Sequence, residues 1–347
     1  MPMNRTVIIA LIFIITLPAC EKVFMNDAAS TDPFVNFDFL WETLDQKYSF
    51  FGYKEIDWNE MRTNYRSRIH TGMTEQALFN VLSQMLYELR DGHVNLTTPF
   101  DRSRNWDWFL DYPPNFNKNV IDRYYLGKSR RFTGPLANRV IDSIAYIYYD
   151  SFAREIKPGH IDFLIQDFAA LKGMIIDVRS NGGGSSANSR LLASRFADKS
   201  RLVSLRLVKK GPAHDDFYDP LEEYLNPGGP MQFTGPVVVL MNRLSYSATN
   251  DFILRMSALP HVTLIGDQSG GGGGIPVDYE LPNGWQFRFS TTITLRPDGF
   301  NVEHGIPPDF IVELDPRDEI YGIDTIIEFA LDFIREGVGG ERSQITQ

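Results

Sequence analysis

The chain has 347 residues, 43% of them hydrophobic and 22% charged, with a formal net charge of −10. That length can bury a full core and suits one large domain plus a smaller one. The acidic balance and the lack of a clustered basic stripe give no reason to expect nucleic acid as a partner. A single cysteine excludes an intramolecular disulfide.

Arg5 and the apolar run from Val7 to Leu17 read as the basic and hydrophobic regions of a signal peptide, the run being too short to span a bilayer comfortably. Leu17-Pro18-Ala19-Cys20 resembles a bacterial lipobox. Residues 1–19 are therefore expected to be removed and Cys20 lipidated, a plain signal peptide being the alternative. This predicts a lipid-anchored protein of the bacterial cell envelope, at the outer membrane and facing either the periplasm or the cell surface. Residues 20–33 are polar and rich in small side chains, suited to a tether.

Phe37, Leu40, Trp41, Leu44 and Tyr48 recur at helical spacing, as do Leu78, Val81, Leu82, Met85, Leu86 and Leu89. Thr74 supplies a helix start of the capping type. Residues 34–96 are thus predicted to be a small helical module whose aromatics form its core. Residues 97–140, rich in Pro, Asn, Asp and Arg, show no clear period and read as an irregular connector. From 141 to 337 strands and helices alternate, the pattern of an α/β sheet with crossovers. Strands are expected at 144–149, 173–178, 202–208, 237–241 and 262–265, a hairpin from 285–289 and 292–295, and a closing helix over 320–334. Residues 338–347 read as a loose tail.

The densest chemical signal is Asn242-Arg243-Leu244-Ser245-Tyr246-Ser247-Ala248-Thr249-Asn250, which follows the strand-like run Val237–Met241 and leads into an amphipathic helix. A hydroxyl at such a helix N-terminus meets free N–H groups and the positive end of the helix dipole. Those are the ingredients of a nucleophilic serine with half an oxyanion hole; plain N-capping is the alternative. A second strand runs through Asp177-Val178-Arg179-Ser180-Asn181-Gly182-Gly183-Gly184, a glycine turn before a helix. Leu89-Arg90-Asp91-Gly92-His93-Val94 closes a helix, and Val302-Glu303-His304-Gly305-Ile306 follows late strands. Neither H-E-x-x-H nor any other metal-spaced cluster occurs, so no metal or other cofactor is expected.

In this order the four segments resemble the S41 peptidases, the tail-specific and tricorn-type serine peptidases. The glycine turn is similar to the family's D-x-R-x-N-x-G-G, and 242–250 to its N-x-x-S-x-S-A-S-E, with Thr249-Asn250 in place of S-E. Glu303–Asp309 is similar to E-x-G-I-x-P-D. The resemblance implies an α/β, crotonase/ClpP-like core behind the helical module, and a peptide or protein substrate. Many members carry a PDZ domain where this chain has residues 97–140, 44 residues and too few for one. The tail-specific branch uses a lysine base at the place of Gly272, and Lys210 is the last lysine here. The tricorn-type branch instead implies Ser247 as nucleophile, His93 as base and Glu303 as the carboxylate orienting it. Ala248 and Gly183 are the expected oxyanion donors. Gly92 stands where tricorn has a serine, which leaves a fourth catalytic member unassigned. His304, next to Glu303, is the competing base. Its chain order with Ser247 and Asp278 would suit an α/β-hydrolase, but that fold wants G-x-S-x-G at the nucleophile. A catalytically silent peptide- or ligand-binding lipoprotein on the same fold is the alternative function.

Overall fold

The structure is a computed structural model that describes residues 29–105 and 111–337. Cys20, the signal segment and the tail at 338–347 lie outside the described residues.

Four helices come first: α1 (Pro33–Lys47), α2 (Phe51–Lys54), α3 (Trp58–Arg66) and α4 (Glu75–Tyr87). Asp32 caps α1 by accepting from the Phe34 N–H, with Pro33 in the first turn. Thr74 caps α4 through the Ala77 N–H, as its position predicts. Trp41 and Trp58 stack at 6.4 Å, and each indole N–H donates to the other's carbonyl. After α4 the chain turns through Gly92-His93 into β1 (Asn95–Thr97).

The segment expected to be an irregular connector is only partly so. A short helix α5 (Lys118–Val120) continues as helical turns to Ser129, and β2 (Arg131–Thr133) and β3 (Leu136–Ile141) begin the main sheet. The main sheet continues with β4 (Ile144–Tyr148), helix α6 (Pro158–Phe168), β5 (Gly173–Asp177) and helix α7 (Ser186–Ala193). Strands β6 (Arg201–Val208) and β7 (Leu221–Leu225) then leave it for another sheet. The main sheet resumes with β8 (Val237–Met241), helix α8 (Ala248–Ser257) and β9 (Val262–Gly266). Strands β10 (Pro276–Glu280), β11 (Gln286–Ser290), β12 (Thr292–Leu295) and β13 (Phe310–Ile311) precede helices α9 (Pro316–Ile320) and α10 (Thr325–Glu336).

Seven strands form the main sheet in the order β13-β9-β8-β5-β4-β3-β2, parallel from β13 to β4. Both faces are covered, which is why its central strands read as unbroken apolar runs. Ile176, Val237 and Val239 pack toward α6 and α8; Ile175, Val238 and Leu240 pack toward α10 and Ile121.

The expected hairpin at 285–295 does not form. β11 pairs with β1 and β10, whereas β12 pairs with β6. Thr291 alone separates β11 from β12, too short a link for a hairpin turn, so the chain steps from one sheet to the next. The expected closing helix is also broken: Asp324 accepts from the N–H groups of Ile326 and Ile327 and starts α10 afresh. Leu281, Trp285, Phe287 and Phe289 share a core with Phe37, Trp41, Leu82 and Leu86. The N-terminal helices are therefore fused to the late strands, and β1 carries that union into the sheet formed with β11 and β10.

Candidate active site

Ser247 sits at the turn between β8 and α8 with φ 59° and ψ −118°. A non-glycine residue holds such a backbone only when its surroundings impose it. Its N–H donates to Gly271 O at 2.8 Å, and Tyr246 N–H donates to Asn181 O at 3.1 Å. The glycine turn locks it from the other side. Gly183 has φ 97°, and a methyl group there would lie 2.6 Å from Tyr246 O and 2.9 Å from both Ala248 N and Ser247 Cβ. Only glycine fits that approach. Asn181 organises the turn: its Oδ1 accepts from Thr249 Oγ1 at 2.7 Å and from Gly183 N at 3.0 Å, and its Nδ2 donates to Tyr149 O. Asp177 and Arg179 are fully buried, paired at 2.7 Å and closed by Asp324, so the motif's charged residues anchor the turn to α10.

Ser245 is a structural residue. Its hydroxyl donates to Val178 O at 2.9 Å and accepts from Asn242 N.

His93 Nε2 lies 3.0 Å from Ser247 Oγ, so the two residues expected to form the nucleophile–base pair come together across 154 positions of sequence. The His93 ring is buried, and burial pulls its pKa down to about 4; Asp91 works against this, while Arg288 and Lys54 reinforce it. The imidazole is thus neutral near pH 7 and able to accept a proton. Its Nδ1 faces Ser290 Oγ at 3.4 Å. His304 packs against the Tyr53 ring at 5.0 Å, and among the described residues it is His93, not His304, that hydrogen-bonds Ser247.

Glu303 does not touch His93, contrary to the orienting role expected of it. Its carboxylate accepts from Lys54 Nζ at 2.9 Å and from Gly273 N at 2.9 Å. Lys54 also approaches Asp91 Oδ2 at 3.6 Å and donates to Arg90 O. Asp91 accepts from the His93 N–H at 2.8 Å and from the Tyr48 hydroxyl at 2.9 Å. Glu303 therefore sits two residues behind the histidine, reaching it through Lys54 and Asp91, because Lys54 and the glycine loop occupy its oxygens. Burial pushes the Glu303 pKa up, opposed by Lys54. Burial also acts to raise Asp91, but Lys54, His93 and its hydrogen bonds leave it below the ordinary value.

Gly183 also departs from expectation. Its N–H donates to Asn181 Oδ1 at 3.0 Å and does not stand free for an oxyanion in this structure. The Ala248 N–H, in the first turn of α8, has no hydrogen-bond partner among the described residues, and Ala248 lines a cavity of about 250 Å³ with Ser247 and Gly184.

The absent lysine has a steric counterpart. A Cβ at Gly272 would stand 2.6 Å from the Tyr246 ring, and one at Gly92 would stand 2.9 Å from its hydroxyl oxygen. The Tyr246 ring packs against His93 at 4.9 Å and fills the space between the two glycines. Lys54 and Ser290 carry no mark in the sequence, and Asp91 and Tyr246 stand out there only as members of motifs. For Lys54, in Phe50-Phe51-Gly52-Tyr53-Lys54, no local pattern marks the residue. Tyr246 carried one signal, the coincidence of glycines where relatives hold larger residues.

A strained serine at a strand-to-helix turn with a neutral imidazole on its hydroxyl defines the arrangement of a serine hydrolase. Comparison with known proteins narrows the class. Residues 143–312 match the model of peptidase family S41, and residues 31–87 match the tricorn protease C1 domain. The crystal structure of a candidate peptidase from Parabacteroides merdae superposes with a TM-score of 0.85 at 41% identity, over 91% of this chain and 100% of that one. The carboxy-terminal-processing protease of Bartonella bacilliformis is 27% identical over 45% of this chain and 35% of its own length. The tricorn protease of Thermoplasma acidophilum is 28% identical over 52% of this chain and 16% of its own length. The chain thus spans about a third of the one and a sixth of the other. It belongs to peptidase family S41.

Proposed function

We propose that this protein is a serine endopeptidase of the bacterial cell envelope that hydrolyses peptides or proteins. Ser247 Oγ attacks the peptide carbonyl while His93 Nε2 takes its proton. The oxyanion that forms meets the Ala248 N–H and the N-terminal end of α8. His93 then gives the proton to the leaving amine, and a water repeats the sequence on the acyl-enzyme. For Nε2 to accept, the neutral ring carries its proton on Nδ1, which faces Ser290. Glu303 acts as a positioning residue through Lys54, Asp91 and Gly273. The lipid anchor at Cys20 rests on Arg5, the Val7–Leu17 run and Leu17-Pro18-Ala19-Cys20. Among the described residues no helix is long and apolar enough to cross a membrane.

The observation that carries the catalytic reading is the 3.0 Å approach of a neutral, buried His93 to a backbone-strained Ser247. The purified protein is expected to react with a fluorophosphonate probe and to cleave peptides. Ser247→Ala should lose both, with turnover falling on the order of 10⁶-fold, while keeping the circular dichroism of the parent. Undiminished hydrolysis by Ser247→Ala would overturn the mechanism.

A further inference from the structure

The cavity beside Ser247 contains an unused cation. Arg288 on β11 and Arg206 on β6 both line it, together with Asp251 and Thr294. The Arg288 side chain makes no hydrogen bond among the described residues, and its Nε is buried without a partner. Its nearest carboxylate is Asp278, 3.9 Å away, with a side chain 76% exposed; such a contact is screened and worth little. Arg206 is tied to Glu223 by one end of its guanidinium, and its Nε is likewise buried and unpartnered.

The acidic groups here are already taken. Asp251 is held by Arg255 through both carboxylate oxygens, at 2.9 and 3.0 Å, and accepts from Ser189 at 2.7 Å. Glu223 is shared between Arg206 and Arg255. Arg206 and Arg255 thus occupy Asp251 and Glu223, and Arg288, facing only the exposed Asp278 at 3.9 Å, is the member whose guanidinium is not hydrogen-bonded. A planar guanidinium with free donors on the wall of this half-open cavity is suited to bind a carboxylate in a fork-to-fork manner.

We propose that this cavity is a substrate subsite in which Arg288, supported by Arg206, binds a carboxylate of the peptide close to the bond cleaved at Ser247. The carboxylate is either an acidic side chain flanking that bond or the free C-terminus of the peptide. This inference rests on the peptidase reading given above. It goes further in naming the charge of the preferred substrate.

The test uses pools of internally quenched octapeptides, randomised except for Glu, Gln or Lys fixed at one position. Each pool is made with a free and with an amidated C-terminus. The wild type is expected to favour Glu over Gln at one position by about tenfold or more in kcat/KM, the size of a charge-assisted hydrogen bond, and to cleave Lys pools most slowly. Should the C-terminus be the ligand, amidation gives that loss instead. Arg288→Gln should erase the preference and Arg288→Lys should restore part of it. Equal rates for Glu and Gln pools and for free and amidated ends would overturn the subsite, as would a preference that survives Arg288→Gln. Binding of the same pools to Ser247→Ala, read by fluorescence anisotropy, separates this idea from the catalytic one. A wild type that neither labels nor cleaves, with a Ser247→Ala protein that still prefers the carboxylate, sinks the peptidase reading alone.

Discussion

The proposed nucleophile and its proposed base are held in place by different means. Ser247 is fixed almost wholly by main chain: the Gly271 carbonyl, the Asn181 carbonyl and the close pass of Gly183 define a backbone shape that few sequences can follow. His93 is fixed by buried charge. Lys54, Asp91, Glu303 and the Tyr48 hydroxyl come from α2, the turn after α4, the loop before β13 and the end of α1, and they meet only in the folded molecule. A backbone device leaves glycines and asparagines in a recognisable string. A charge cluster leaves ordinary residues scattered over the chain.

Breaking the base itself should have the largest effect. His93→Ala is expected to lower turnover on the order of 10⁶-fold, and His304→Ala to leave it nearly intact, when both are assayed on one peptide substrate. The reverse result would move the base next to Glu303. Breaking the cluster behind the base should cost stability as well as rate. Lys54→Met leaves Asp91 and Glu303 buried without their shared cation, so the unfolding free energy should fall by about 3–5 kcal/mol, measured by urea denaturation. Glu303→Gln keeps the hydrogen-bonding shape and should be milder in both. Equal stability of Lys54→Met and the parent would show that the cluster is not what holds His93.

The pH profile sharpens the contrast further. A solvated histidine base would give an acid limb near the unperturbed value of about 6.5. Burial depresses His93 to about 4, so activity should persist well below pH 6 and fail only as pH falls through about 4. Because the folded value is the lower one, the stability linked to His93 is present in full above the unfolded value, about 6.5, and is lost as pH falls through the folded one. An acid limb near 6.5 would show that the ring is more hydrated than its burial implies. The smallest effect is expected at Ser290, whose 3.4 Å contact with Nδ1 is a weak one. Ser290→Ala should lower kcat by about fivefold, near 1 kcal/mol, with KM unchanged. A fall in KM affinity instead would mean that Ser290 serves the cavity wall.

The sequence made the main sheet readable because β4, β5, β8 and β9 are apolar runs bounded by turn residues, and their order of appearance implies crossovers. It did not reveal that β11 and β12 part company, since both alternate as strands and partner choice depends on distant residues. The same limit governs the site. Ser247, His93 and Glu303 could be picked out from motifs, yet the assumption that Glu303 touches His93 failed for want of Lys54. Gly183 is expected from the sequence as an oxyanion donor, and nothing local foretells the Asn181 side chain that takes its N–H. Whether a carboxylate faces an imidazole or an ammonium is decided by packing between α2 and the late loops, and no local spacing records it.

The fusion of the first helices with the last strands also sets when the molecule can become active. His93 belongs to the early part of the chain, Ser247 follows 154 residues later, and Glu303 comes later still. Protein chains emerge N-terminus first, so a chain in synthesis carries the proposed base without its nucleophile, then a nucleophile without its bracing. Latency is thus written into chain order, with no separate inhibitory segment required among the described residues. Chains truncated before Glu303 should remain unreactive toward a fluorophosphonate even though Ser247 and His93 are both present.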